Sequence, residues 1–337
     1  MKEAMFYQSL DENSVQCQLC SHHCKIQEDK RGICGVRENS GGKLYSLVYG
    51  KIIAEHIDPI EKKPLFNFLP GSRAFSIGTV GCNFHCKHCQ NSDISQYPNE
   101  HGGEVIGQDR NPNQIVTAAK ASDCETIAYT YTEPTIFYEF AYDTAVLARK
   151  EGIKNVWVSN GYMSGEAARQ IAPYLGAINI DLKAFTDESY KDVCGARLNP
   201  VLETIRLMKE LDVWVEVTTL IIPGLNDDEK ELRSIAKFVK SIGSEVPWHV
   251  TAFYPAYKMM HLPRTPVAAL RRTREIGIEE GLRYVYNGNI PGEAGENTYC
   301  YACGAEVISR SGAAFMQNRL RKGKCPECEA LIDGVGM

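Results

Sequence analysis

The sequence predicts an α/β protein on a parallel sheet, with a small cysteine-rich segment at each end. Three observations predict it. Short apolar strand candidates alternate with helical patterns through the middle of the 337-residue chain. The 13 cysteines fall mainly into three groups, at the start, near residue 85 and at the end. Hydrophobic residues make up 44% and charged residues 23%, which suits a globular chain with a proper core and excludes disorder as its dominant state.

The length suits one large domain plus something smaller. The net charge of −5 provides no basic field, which argues against nucleic acid and anionic membrane as partners. The N-terminal stretch MKEAMFYQSLDENS has no apolar signal core. No run of about 18 apolar residues occurs, so no membrane span is expected. A cytoplasmic setting with reduced thiols follows as the expectation, and so many thiols there suggest metal.

Residues 44–57 are β-rich, with Gly50 as a turn, and 61–72 (EKKPLFNFLPGS) form an irregular connector broken by Pro64, Pro70 and Gly71. Strands are then expected at 74–79, 126–130, 154–159, 177–182, 213–219 and 247–253, with another at 282–286. Helical faces lie between them. Phe137, Phe140, Thr144 and Leu147 share one face in 135–150; Leu202, Ile205 and Met208 do so in 201–210. In 227–242 the face runs from Leu232 through Ile235 and Val239 to Ile242, with Asn226 as N-cap after the Pro223-Gly224 turn. Such alternation means right-handed βαβ units and a parallel sheet. Roughly six units are too few for an eight-fold barrel, which leaves an open, incomplete barrel or a doubly wound sheet. Either fold binds ligands at the C-terminal ends of its strands. Polar residues gather there: Cys82, then Thr132 and Glu133, then Ser159 and Asn160, then Asp181 and Lys183.

The central motif GCNFHCKHCQN (81–91) spaces its cysteines as C-x3-C-x2-C. Cys82, Cys86 and Cys89 in a loop after a strand can hold one face of an iron–sulfur cubane and leave one iron open to an exogenous chelator. Zinc is the alternative, with His85 or His88 as a fourth ligand. Cys124 and Cys194 stand alone and read as small buried core residues.

With these residues in place, the chain resembles the radical S-adenosylmethionine enzymes over about residues 70–290. The resemblance implies a partial (βα)6 TIM-like barrel. It implies a [4Fe-4S] cluster on Cys82, Cys86 and Cys89, chelation of S-adenosylmethionine at the open iron, and reductive cleavage to a 5′-deoxyadenosyl radical that abstracts hydrogen from a substrate. An electron donor such as flavodoxin or ferredoxin is implied with it. Thr132-Glu133-Pro134 resembles the Gly-Glu-Pro turn that holds the methionyl amine. Ser159-Asn160-Gly161 resembles the Thr-Asn-Gly turn after the third strand, and Asp181-Leu182-Lys183 the Asp-x-Lys of the fourth. His88 occupies the place of an aromatic residue that packs on adenine. Residues 214–227 resemble the fifth-strand and Pro-Gly-x-x-Asp pattern of pyruvate formate-lyase activating enzymes. Two positions depart from those enzymes: Gly78 stands where they tend to have Phe, and Pro255-Ala256-Tyr257 replaces Pro-Tyr-His, with His249 on the preceding strand as a candidate substitute. With KRGICGVREN (30–39), EKKPLFNFLPGS and YNGNIPG (286–292), the whole chain resembles one subgroup more closely, the radical enzyme of the AmmeMemoRadiSam system.

The expected organisation is therefore an N-terminal cysteine-rich and β segment at 1–70, the partial barrel at 71–290 and a zinc-ribbon-like segment at 291–337. In the last, Cys300-x2-Cys303 and Cys325-x2-Cys328 make a tetrahedral four-thiolate site for zinc, with rubredoxin-like iron as the alternative. Arg319, Arg321, Lys322 and Lys324 between the knuckles read as a solvated loop. At the N-terminus, Cys17, Cys20, Cys24 and Cys34 suit either zinc or a second, fully ligated iron–sulfur cluster able to relay electrons, with His22 and His23 as alternative ligands.

Within the radical chemistry, the substrate is either a glycyl residue of a partner protein or a small molecule or peptide. A zinc-rich RNA-associated or scaffolding protein is the reading from another class; the acidity and the polar strand ends speak against it.

Overall fold

The computed structural model describes residues 1–290 and 292–337; Pro291, within the YNGNIPG motif and at the expected start of the last segment, lies outside the described residues. Eight strands form the central sheet: β1 (Ala54–Pro59), β2 (Arg73–Gly78), β3 (Thr126–Tyr129), β4 (Lys154–Ser159), β5 (Leu175–Asp181), β6 (Trp214–Ile221), β7 (Trp248–Ala252) and β8 (Val285–Gly288). They lie side by side in chain order, β2 to β8 all parallel and β1 antiparallel on the edge. Helices α1 (Pro112–Ala121), α2 (Tyr138–Lys150), α3 (Gly165–Ile171), α4 (Leu198–Glu210), α5 (Glu229–Ile242) and α6 (Val267–Glu279) fill the six crossovers. β1 was expected only as part of a β-rich N-terminal stretch; it pairs with β2 along its whole length, Ala54 opposite Gly78 and Pro59 opposite Arg73.

Strand alternation sorts the side chains by size. Phe75, Ile77, Ile127, Tyr129, Trp157 and Ile178 point to the helix layer and are buried there. The other face carries small residues: Ala74, Ala128, Val156 and Ala177, which pack on Phe68 and Leu65 of the connector. Gly176 makes room for that plug, because a Cβ there would lie 2.9 Å from the Phe68 ring. The connector thus fills the sheet's inner face at the N-terminal ends of the strands and leaves the C-terminal ends open.

The helices start where local chemistry permits. α1 begins with a capping box, Asn111 accepting from the Gln114 N–H while the Gln114 side chain accepts from the Asn111 N–H, and Pro112 occupies the first turn. α5 is capped by Asp228, whose Oδ1 accepts from the Lys230 and Glu231 N–H groups. The expected cap, Asn226, is instead a brace. Its Oδ1 accepts from Ile222 N–H, and its Nδ2 donates to the carbonyls of Lys183 and Leu220. One amide thereby ties the ends of β5 and β6 together, a task that local sequence spacing does not reveal.

The first 50 residues form two small antiparallel sheets, Tyr7–Ser9 with Val15–Cys17 and Lys25–Ile26, and Lys2–Glu3 with Lys43–Ser46 and Arg37–Ser40. A third, Thr298–Tyr299 with Glu306–Ser311 and Ala314–Asn318, follows β8. No helix is long and apolar enough to cross a membrane among the described residues.

Candidate active site

At the C-terminal end of β2 the chain turns at Gly81, whose φ of +96° is glycine's territory, and enters the central cysteine loop. The loop is held on two sides. The N–H groups of His85 and Lys87 donate to the carbonyls of Cys194 and Val193, both 2.9 Å away. Gln96 Nε2 donates to the Phe84 carbonyl, and its Oε1 bonds His85 Nδ1 at 2.7 Å. Phe84 is buried between Tyr162 and Tyr190. Cys82, Cys86 and Cys89 therefore sit on a rigid loop at the rim of a cavity of about 740 Å³. All ten residues brought forward for cluster and cofactor line this one cavity.

Burial raises the Cys82 thiol well above its ordinary pKa, and the Glu133 carboxylate adds to it. The Cys194 thiol beside Cys86, together with burial, does the same there. Cys194 is thus buried as expected, at 1% exposure, and borders the cysteine loop as well. These thiols stay protonated unless a cationic centre arrives, which inverts the local preference and deprotonates them outright. Among the described residues, only the C-terminal cysteines bring three or more ligand atoms within 4.8 Å of one another. The central three stand wider apart than the ligands of a single ion.

Glu133 is the hub of the opposite wall. Its Oε1 accepts from Thr135 N–H (3.0 Å), Thr135 Oγ1 (2.6 Å) and Ser159 Oγ (2.8 Å), and its Oε2 from Asn160 N–H (2.7 Å). The side chain is 1% exposed, and burial raises its pKa against those four donors. Most of its acceptor capacity goes to joining the β3 and β4 turns, leaving Oε2 with a single bond. Asn160 continues the chain of contacts: Nδ2 donates to Asn83 Oδ1 at 2.7 Å and lies 4.0 Å from Cys82 Sγ. Gly161 follows at φ +71°, where a Cβ would come within 2.8 Å of Ile180. Thr132 Oγ1 donates to the Thr79 carbonyl, so its hydroxyl pins β3 to β2.

Asp181 and Lys183 form an ion pair at 2.9 Å at the end of β5. Burial opposes the Lys183 charge, but the Asp181 carboxylate outweighs it and holds its pKa above the usual lysine value. His88 is 5% exposed, and burial, then Lys183, pulls its pKa down to about 3, so the imidazole is neutral. Its Nδ1 has no hydrogen-bond partner among the described residues. A neutral, buried nitrogen with nothing to bond is a site for a ligand atom. Three soft thiols set too widely for one ion, beside a roomy cavity with an unpartnered imidazole, fit a cluster and an organic cofactor together.

Three further residues line the cavity without having been singled out in the sequence. Asp58 on β1 accepts from Lys63 Nζ and the Tyr131 hydroxyl, both at 2.8 Å. Lys63 also sits 4.8 Å from the centre of the Tyr131 ring. Tyr131 has φ +69°, a rare conformation for an aromatic residue, held by Asn91 Nδ2 donating to its carbonyl. The signal available beforehand was the charged pair Lys62-Lys63 inside an otherwise apolar connector.

His249 does not reach the cavity lining. Its Nε2 bonds Glu216 Oε2 at 2.6 Å in the buried layer below, where Glu216 also accepts from the N–H groups of Phe66 and Asn67. It secures the connector, and nothing places it as a substitute for the missing histidine. Gly78, the other departure, lies where a Cβ would be 2.7 Å from the Thr130 carbonyl, so no larger residue fits.

The two terminal groups are separate sites. Cys300 Sγ lies 3.6 Å from Cys328 Sγ, and Cys303 Sγ 3.7 Å from Cys325 Sγ. Cys17, Cys20, Cys24 and Cys34 line one small pocket under the first β hairpins. Cys124 is buried at 5% exposure, as a core residue should be.

Residues 76–239 match the radical SAM superfamily. The chain is 47% identical to an uncharacterized protein of Methanocaldococcus jannaschii over 99% of this chain and 100% of the relative. It is 24% identical to the pyruvate formate-lyase 1-activating enzyme of Escherichia coli over 52% of this chain and 71% of that enzyme. Among solved structures it is similar to Streptococcus suis SuiB bound to S-adenosylmethionine, with a TM-score of 0.51 at 12% identity, covering 68% of this chain and 53% of that one; this likeness is one of fold.

Proposed function

We propose, for a chain that belongs to the radical SAM superfamily and is an enzyme of activating-enzyme type, that the cavity at the strand ends is its active site and that its substrate is a glycyl residue of a partner protein. The observation that carries the site is the convergence of the three cysteines and seven polar residues of four successive strand ends on one cavity. Cys82, Cys86 and Cys89 would hold a [4Fe-4S] cluster. The cluster and S-adenosylmethionine supply, when bound, one-electron cleavage of the sulfonium and a 5′-deoxyadenosyl radical that takes hydrogen from the substrate.

The protein's own residues hold and shelter. Glu133 Oε2 and the Asp181 carboxylate offer acceptors for an ammonium. Lys183 offers the matching cation for a carboxylate. His88 Nδ1 offers a buried polar contact for a purine. The apolar floor of Phe68 and the strand alanines closes the lower end to water, which suits radical chemistry.

The proposal includes the partial (βα)6 barrel as the reading of the seven parallel strands and six crossovers, bounded at about 70 and 290. It includes zinc at the C-terminal quartet. It also includes flavodoxin or ferredoxin as electron donor and a cytoplasmic setting.

Under anaerobic conditions with dithionite and S-adenosylmethionine, the reconstituted protein is expected to release 5′-deoxyadenosine. Cys86→Ala is expected to abolish the release while leaving the circular dichroism spectrum unchanged; undiminished release would refute the assignment of the loop. For the substrate, a co-purifying partner labelled with deuterated glycine is expected to transfer deuterium into 5′-deoxyadenosine. Transfer instead from a small molecule or peptide would redirect the assignment to that class.

A further inference from the structure

We infer that Cys17, Cys20, Cys24 and Cys34 hold a second [4Fe-4S] cluster, packed directly against the central cysteine loop.

The fold gathers these four thiols. The Cys17 N–H donates to the Cys24 carbonyl at 2.9 Å, closing the C-x2-C-x3-C turn on itself. Cys34 returns from a nine-residue excursion past Gly32, where a Cβ would meet Ile26 Cδ1 at 3.3 Å. All four line one pocket whose other walls include Leu19, Ile26 and Ile136.

The spacing distinguishes the possible occupants. A zinc ion with bonds of about 2.3 Å sets its four thiolates about 3.8 Å apart. The C-terminal quartet meets that spacing at 3.6 and 3.7 Å. In the N-terminal group no three ligand atoms come within 4.8 Å of one another among the described residues. The four thiols instead wall a common hollow. Packed core thiols would close such a hollow, because voids are destabilising. In a two-iron cluster, pairs of thiolates share one iron and would touch as the C-terminal pairs do. No hydrogen-bonded sulfur pair joins these four among the described residues. One thiolate per metal atom, with four metal atoms between them, is the arrangement of a cubane.

Two more observations point to the ligand. Arg37 lines the pocket and is 2% exposed, and its Nε has no hydrogen-bond partner among the described residues. A buried N–H of this kind needs an acceptor, and sulfur atoms of an anionic cluster supply one. The candidate histidines are otherwise engaged: His22 Nε2 bonds the Asn83 carbonyl at 2.7 Å, and His23 is exposed. The set is therefore four thiolates, with no position left for a chelating cofactor. The bond from His22 also joins this pocket to the residue after Cys82. Cys34 O also packs against the start of that loop, 3.0 Å from where a Cβ on Gly81 would be.

The test uses the full chain, reconstituted anaerobically with iron and sulfide. A Cys82→Ala, Cys86→Ala, Cys89→Ala variant removes the central site. It is expected to retain about four irons and about four acid-labile sulfides per chain, with a brown colour and a dithionite-induced paramagnetic signal unchanged by S-adenosylmethionine. Labile sulfide excludes iron at the C-terminal quartet as the source. Absence of sulfide, or a second zinc per chain in its place, overturns the inference. A Cys20→Ser, Cys24→Ser variant is expected to lose half of the wild-type iron and sulfide. Retention of all of it overturns the inference equally, and the first variant decides alone should the second not fold. Because the first variant lacks the central cysteines, its result is independent of whether the proposed function holds.

Discussion

Glu133 shows how one side chain can be indispensable to a site while giving most of its bonding to the protein. Four donors converge on its carboxylate from Thr135, Ser159 and Asn160. Glu133→Gln would turn an NH2 toward one of them, leaving a buried donor unpaired at a cost of about 1–3 kcal/mol. We expect a correspondingly lower urea midpoint and reduced 5′-deoxyadenosine release; an unchanged midpoint would show that the cluster of bonds is dispensable.

Asp58 carries a pH dependence with a definite sign. Burial pushes its pKa up, but Lys63 and the Tyr131 hydroxyl outweigh burial and hold it below the usual carboxylate value. Its contribution to stability is then present above about pH 4, the unfolded value, and is lost as pH falls toward the lower folded one. The stability gap between wild type and Asp58→Asn, followed by denaturant titration, should narrow as pH is lowered below about 4. A gap independent of pH would remove Asp58 from this role.

Elements are joined by contacts that local patterns do not announce. Arg37, on the strand Arg37–Ser40, reaches Glu139 in the first turn of α2 through two bonds of 3.1 and 2.8 Å, both side chains buried. Glu139 also accepts from Met5 N–H, so this pair bolts the N-terminal hairpins to the helix layer. Arg37→Met leaves a buried carboxylate without its partner, at about 3–5 kcal/mol, and Arg37→Met with Glu139→Leu should recover much of that. Equal losses in the single and double variants, measured by chemical denaturation, would contradict this account. The approach of β2 to β3 makes a second element-scale case. Gly78→Ala drives a Cβ to 2.7 Å from Thr130 O, and strand separation is expected to cost about 1–3 kcal/mol. The strand pattern itself was legible, and each parallel strand fell within a few residues of expectation. α1, α3 and α6 were not assigned, because their apolar faces are short and α1 is announced mainly by its capping box at Asn111 and Gln114.

At the scale of the whole molecule, the two ends of the sheet have different fates. The C-terminal strand ends open on the cavity, while the N-terminal ends are closed by the connector and the C-terminal cysteine segment. Asp333 pairs with Arg283 at 2.9 Å and accepts from the Tyr284 hydroxyl, Asn67 donates to the Asp333 carbonyl, and buried Arg310 donates to the Phe66 carbonyl. The C-terminal quartet therefore braces the connector as well as its own knuckles. Stripping the proposed zinc with a chelator, or Cys303→Ser with Cys328→Ser, should lower the melting temperature of the entire chain rather than release an independent unit. A separate low-temperature transition with the main one unmoved would show that the brace is absent.

Much of the site could be read along the chain, because its chemistry is written as close spacings: three cysteines in eight residues, and short polar turns after successive strands. Parallel topology then carries each strand end to the same rim, so local motifs predict a common site. The sequence by itself determined the α/β class, the three cysteine groups and the ten residues that meet at the cavity. Only the tertiary structure decided how Asn226, His249, Asp58 and Cys194 are used, since each has at least one partner tens of residues away. It also set the sulfur spacing of the two quartets apart. Ligand spacing depends on how the hairpins pack in three dimensions, and spacing between sulfurs is what distinguishes a single ion from a cluster.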